Sequence, residues 1–229
     1  NGEKFTSEYI VSNISPVNTY VNMVDPSLLP PEVLYNMGNS RIGVSALTLY
    51  IGLDCTPGEI GIKESMNVFC RSTDCNEAFK STRKIDTEDD FFILSCYTLD
   101  DPHFSPAGTS QVAVVVLKYG EPWIELPPEK YHETKYRCAD TLLNRIEEQF
   151  PGFRSHIEEI EVATPLTHMR YLGHPGGAIY GFDKDIKDAG FFFNDQRYID
   201  GLYFAGTWTG YDGFQPTLSS GFYTARQML

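Results

Sequence analysis

The residues best placed to do chemistry lie in Gly201 to Leu229, GLYFAGTWTGYDGFQPTLSSGFYTARQML. An apolar run, Leu202 to Ala205, is followed by Gly206, Gly210 and Gly213; Pro216 then opens a segment, Thr217 to Leu229, with larger residues at helical spacing. That order reads as strand, glycine-rich turn and helix N-terminus. Glycine lets backbone approach a ligand closely, and the first N–H groups of a helix have no partners of their own. With the positive end of the helix dipole they suit an electron-rich or anionic group. Proline at the first helical position costs nothing, because its N–H would be orphaned there anyway. The same spacing also describes strand–turn–helix units that hold no ligand.

A second stretch, His168-Met169-Arg170-Tyr171 and then Gly173 to Phe182, contains the turn Pro175-Gly176-Gly177. Two of its positions are free to take positive φ. Ala178-Ile179-Tyr180 beyond it is small and then bulky, which suits an extended segment passing a flat ligand. Standing alone, this turn reads more readily as an ordinary surface turn.

Several elements must position these stretches. Phe5 to Ser12 alternates as a strand, and Ser15-Pro16 opens a short helix, Val17 to Val24, with Ser15 as N-cap. Arg41 to Asp54 is apolar on both faces and reads as a buried central strand. Asn67–Arg71, Phe91–Leu99 and Gln111–Tyr119 read as three more. Asp74 to Lys84 reads as a helix capped by Asp74. Tyr131 to Phe150 reads as the long helix, with Tyr136, Ala139, Leu142, Leu143, Ile146 and Phe150 on its core stripe. Four antiparallel-type strands under a helix make an α+β layer. Lys118 and Lys130 read as exposed, and Glu147-Glu148 as a solvated edge.

Composition narrows the function. The 229 residues carry 18 Lys plus Arg against 31 Asp plus Glu, a formal charge of −13. That balance disfavours nucleic acid and anchoring on anionic lipid by charge. No apolar run of about 18 residues is present, so no segment is expected to span a bilayer. Cys55, Cys70, Cys75, Cys96 and Cys138 are odd in number and have no zinc-type spacing, so reduced thiols and no metal are expected. No G-x-S-x-G, H-E-x-x-H or P-loop supports a hydrolase or nucleotide triphosphatase.

Gly201 to Gly206, Trp208-Thr209, Gly213, Pro216, Ser220-Gly221 and Ala225 resemble the C-terminal flavin-binding segment of FAD-dependent amine oxidase-like flavoproteins. The stretch His168 to Tyr171 and then Gly173 to Phe182 is similar to that family's "RY…NPGGAIYG", in the same order along the chain. Within the superfamily the likeness is to the phytoene desaturase, carotenoid isomerase and retinol saturase branch. Ser12-Asn13, followed by Pro16, is similar to a unit found in mid-sequence in that family, so about half of a family member is expected to precede it. The family's G-x-G-x-x-G diphosphate turn is not found in the sequence.

The resemblance implies the following. The fold is α+β / α/β, a mixed or antiparallel substrate sheet with covering helices plus the C-terminal strand–turn–helix of a Rossmann-like FAD domain. Residues 1–25 and 165–229 belong to the FAD domain, and 26–164 to the substrate domain. FAD is non-covalent and needs the G-x-G-x-x-G half. Gly206, Thr207, Trp208, Asp212, Gly213, Phe214, Gln215, Pro216 and Thr217 contact the cofactor; Gly176, Gly177, Ala178 and Tyr180 face flavin or substrate. His168 and Arg170 stand where the family has polar residues near the cavity. No residue is assigned to catalysis. The implied reaction is hydride transfer between flavin and an apolar polyene or isoprenoid, with the 229 residues inactive alone. An amine oxidase, with Trp208 and Tyr211 in an aromatic cage, and a non-catalytic binding fragment are the alternatives. The expected location is cytoplasmic, with peripheral membrane contact left open.

Overall fold

Strand β1 forms over Ile10–Ser12, three residues of the expected 5–12 run, because its partner is equally short. In the computed structural model, which describes residues 2–183 and 198–229, that partner is the strand Leu202–Phe204. The two run parallel, with Ile10 opposite Leu202 and Ser12 opposite Phe204. Helix α1, Pro16–Asn18, starts as expected: Ser15 Oγ accepts the Val17 N–H. Over Thr19–Met23 the chain widens into a π-helix, closed by Val24 N–H on the Thr19 carbonyl at 3.1 Å. Helix α2 follows over Pro31–Asn39. Tyr20, Val33, Met37 and Phe204 make the core of this unit, which comprises Asn1–Val44 and Met169–Leu229. Burial raises the Tyr20 phenol to about 12.

The second unit, Ser45–His168, holds the larger core. Its sheet contains β2 (Ser45–Leu53), β3 (Met66–Phe69), β4 (Phe92–Cys96), β5 (Ser110–Lys118) and β6 (Ile157–Ala163), in the order β3-β4-β5-β2-β6 and antiparallel throughout. β2 is central and buried nearly throughout, as its two apolar faces predict. β6 is a fifth strand that the sequence pattern does not reveal. Its register to β2 slips between Gly52 opposite Glu159 and Leu53 opposite Ile157, so Glu158 is an extra, unpaired residue. That bulge breaks the period-2 alternation by which a strand is recognised.

Helix α3, Cys75–Ser81, is capped by Asp74, whose carboxylate accepts the Asn76 N–H at 2.8 Å. The turns α4, Tyr97–Asp100, and α5, Glu121–Ile124, follow β4 and β5. Helix α6, Tyr131–Gln149, covers the sheet with Cys138, Ala139, Leu142, Leu143 and Ile146. Each such large aliphatic side chain contributes about 1.5–3 kcal/mol by leaving water. Tyr136 stands off that stripe, 54% exposed. Glu147, expected at a solvated edge, instead accepts the N–H groups of Gly152 and Arg154. Helix α7, Pro165–Leu172, carries the unit boundary.

Lys118 corrects the sequence expectation most sharply, being fully buried rather than exposed. Its Nζ donates to the carbonyls of Ser81, Lys84 and Asp86 and pairs with Asp90 Oδ2 at 2.5 Å. Arg145 Nη1, beside this pair, donates to the carbonyls of Thr87 and Asp90, and its guanidinium lies 4.6 Å from the Phe92 ring centre. A buried cation is tolerated only when its donors are satisfied and its charge is met, and here both conditions hold.

Candidate ligand turn

β7, Leu202–Phe204, delivers the chain to Gly206, whose φ of 104° and ψ of −171° lie in a region open essentially to glycine. A Cβ there would come within 2.8 Å of Asn13 Oδ1. The Gly206 N–H donates to Ser220 Oγ at 2.8 Å, and its carbonyl accepts the Thr209 hydroxyl at 2.7 Å. Thr224 Oγ1 donates to the Phe204 carbonyl at 2.7 Å. Side chains of the terminal helix thus fasten the end of the strand. The intervening 3-10 turn covers Thr207–Thr209 and closes on Gly210 at φ 89°.

Helix α8, Phe214–Met228, begins after Gly213, which has φ 90° and ψ 170°. It starts two residues earlier than expected, so Pro216 is its third residue rather than its first. The reason is the same: the N–H that proline lacks has no acceptor anywhere in the first turn. Gly213 makes no side-chain cap, and the N–H groups of Phe214 and Gln215 need acceptors from outside the helix. A Cβ on Gly213 would touch only Pro216 Cδ, at 3.9 Å, so the positive φ rather than crowding calls for glycine here. A donor pair at a helix start behind a glycine is what a flavin-type ring with electron-rich oxygens would require, and the residues present fit one.

The Pro175–Gly177 turn lies in the same unit and against the same segment. Gly176 and Gly177 take φ of 59° and 69°, using the freedom that the sequence gives them. Ala178, fully buried, and Ile179 follow, and Ile179 N–H donates to the Val44 carbonyl at 3.0 Å. Gly181 runs beneath Trp208: a Cβ there would lie 3.0 Å from Trp208 Cα. His174 Nδ1 lies 2.9 Å from the Ala178 carbonyl and 3.4 Å from Trp208 Nε1. One nitrogen cannot both donate and accept a proton here, so the shorter contact assigns the proton to Nδ1 and the indole rests against it.

The structure therefore brings the 12–18, 173–182 and 202–217 stretches together. Asn18 Nδ2 donates to the Gly173 carbonyl at 2.6 Å and Ala205 N–H to the Ser12 carbonyl at 3.0 Å. Asn13, His174 and Ser220 are the residues that sequence reasoning left out of the site. All three sit inside motifs it had singled out.

The expected contact residues divide by what they can present. Trp208 is 5% exposed and meets His174 and Phe182 edge-on, at 5.3 and 5.0 Å, so it is a wall behind the turn. Tyr211 stacks on Tyr223 at 5.9 Å. Phe214 is 95% exposed. Gln215 is exposed and donates through Nε2 to Ser219 Oγ. Thr207, Asp212, Pro216, Thr217 and Tyr180 are half-buried, and Thr217 Oγ1 donates to the Tyr211 carbonyl at 3.1 Å. His168 belongs to the other unit; burial lowers its imidazole below the ordinary value, and Nε2 is buried without a hydrogen-bond partner. Arg170 is exposed. Among the described residues no helix is long and apolar enough to cross a membrane.

No family model matches the chain. It is 27% identical over 214 residues to a prolycopene isomerase of Arabidopsis thaliana, covering 90% of this chain and 33% of that protein. It is 25% identical over 193 residues to the all-trans-retinol 13,14-reductase of Danio rerio, covering 77% of this chain and 32% of that protein. The chain thus spans about a third of the length of these curated relatives. A crystal structure of an oxidoreductase from Methanosarcina mazei shares the fold, with a TM-score of 0.57 over 97% of this chain and 43% of that one, at 14% identity. Across most of its length, then, the chain is similar to the carotenoid isomerase and retinol reductase branch that its terminal motifs resemble.

Proposed function

We propose that these residues are the flavin-ring and substrate-contacting part of an FAD-dependent oxidoreductase acting on an apolar polyene or isoprenoid. The observation that carries this reading is the start of α8 behind Gly213, which has a φ of 90° and makes no side-chain cap. Phe214 and Gln215 N–H groups would favour electron density on the ring, and Gly206, Thr207 and Asp212 would border it; Gly176, Gly177, Ala178 and Tyr180 would face flavin or substrate. When bound, the cofactor supplies hydride transfer at N5, while the protein positions and excludes water. Residues 1–25 and 165–229 would serve the cofactor and 26–164 the substrate. Names of the relatives, which specify a lycopene and a retinol, support the substrate class.

The diphosphate would be held by a G-x-G-x-x-G turn outside these 229 residues. Among the described residues β1 and β7 form a parallel pair of only two strands, which supports this, because parallel sheets are ordinarily larger and covered on both faces. Beside that pair runs a groove of about 620 Å³ lined by Ile10, Val11, Met23, Leu28 and Leu202. The isolated residues would be inactive and bind FAD more weakly than micromolar. The amine oxidase reading is disfavoured by Trp208 and Tyr211, whose rings are committed to protein neighbours. We place the protein in the cytoplasm, with peripheral membrane contact where an apolar substrate is drawn from lipid. The test is a flavin spectrum of the full-length protein with an assay on a polyene. Bound flavin and turnover support the reading; a colourless protein that takes up no added FAD contradicts it.

A further inference from the structure

Three metal-capable side chains meet at the C-terminal end of β2, within the Ser45–His168 unit. Asp54 and Cys55 follow the strand directly, and His156 ends the 3-10 turn that leads into β6. The donor atoms of all three lie within 4.8 Å of one another. His156 Nδ1 is 2.7 Å from Asp54 Oδ1, although 102 positions separate the two residues.

The backbone holds this cluster in place. Asp54 N–H donates to the His156 carbonyl at 3.0 Å, and Ser110 Oγ to the Cys55 carbonyl at 2.8 Å. Cys55 is 3% exposed and forms the floor, whereas the Asp54 and His156 side chains are 58% and 40% exposed at the mouth. A bound ion would therefore have a fixed sulfur beneath it and two adjustable donors at solvent.

We infer that Asp54, Cys55 and His156 form a binding site for a divalent transition ion of the zinc type. Thiolate and carboxylate cancel both charges of such an ion, and a neutral imidazole completes three protein ligands with a fourth position left to water. Sulfur and nitrogen donors exclude calcium and magnesium, which take oxygen. In a tetrahedral zinc site donor atoms stand about 3.3–3.6 Å apart, so the side chains close by roughly an ångström on binding. The thiol proton leaves to solvent as the metal–sulfur bond forms. Without metal, the exposed Asp54–His156 contact is worth little.

Cobalt(II), added alone to the reduced full-length protein, reads the sulfur directly through a thiolate-to-metal charge-transfer band. One equivalent should produce the band, and zinc should abolish it. His156→Gln and Asp54→Asn, both at exposed positions, should each weaken cobalt binding by at least the about tenfold that losing even an outer-shell partner costs. Cys55→Ser should remove the band, while Cys70→Ser and Cys75→Ser, at exposed thiols, should keep it. No band in the wild type, or an unweakened one in the His156 and Asp54 variants, overturns the site. So does a band lost with Cys70 or Cys75.

Discussion

The Gly206 N–H and the Ser220 Oγ meet at 2.8 Å, joining the exit of β7 to the second turn of α8. Ser220 is fully buried, and its own hydroxyl donates back to the Thr217 carbonyl at 2.6 Å. The sharp turn between strand and helix is thus fixed from within. Ser220→Ala leaves a buried N–H without an acceptor, which costs about 1–3 kcal/mol. Thermal unfolding should show a lowered midpoint; an unchanged midpoint would mean that water replaces the hydroxyl there.

Two glycines of the same segment should respond in opposite directions. Gly213 has a φ of 90°, and Gly213→Val imposes strain of about 1–3 kcal/mol on the turn. Gly221 lies inside α8, exposed, with nothing within 4 Å of an added Cβ. Gly221→Ala should therefore stabilise, by about 0.5–1 kcal/mol, through helix propensity. Paired denaturation curves decide this, and equal effects would place α8 elsewhere.

Lys118→Met should cost about 3–5 kcal/mol, because Asp90 then stays buried without its cation and three carbonyls lose a donor. Burial already holds the Asp90 carboxyl above the usual carboxylate range, despite the neighbouring ammonium. Adding Asp90→Leu to Lys118→Met should recover part of the loss. The midpoint of urea unfolding measures both, and a silent Lys118→Met would contradict the buried pair.

His168 makes stability depend on pH in a defined sense. Burial lowers its folded-state value below the ordinary 6.5, so the unfolded chain takes up a proton first as pH falls. Its contribution is intact above about 6.5 and declines below, until the folded value is passed. His168→Gln should flatten that limb of the stability–pH curve. An unchanged slope would assign the acid limb to other groups.

Much of this was legible in the sequence, and each gap has a physical cause. β2, α6, the Asp74 cap and the Ser15 cap follow from local pattern, and they form where expected. β6 was hidden because the bulge at Glu158 interrupts its alternation. Lys118 was misread because lysine in an apolar strand gives no sign of carbonyls supplied from residues 81–86. The glycines at 176, 206 and 213 announced their backbone, but the roles of Asn13 and Ser220 required the contacts themselves. Asp54 and His156 pair only through sheet topology, which no local spacing encodes.

The most direct measurement is the flavin absorbance of full-length wild-type and Gly213→Val proteins, purified alike and compared at equal folded concentration. Wild type should carry flavin in stoichiometric amount, while Gly213→Val keeps the Ser45–His168 unit folded and loses the flavin spectrum. Stoichiometric flavin in Gly213→Val, or none in wild type even after adding FAD, would contradict a ring held at the start of α8.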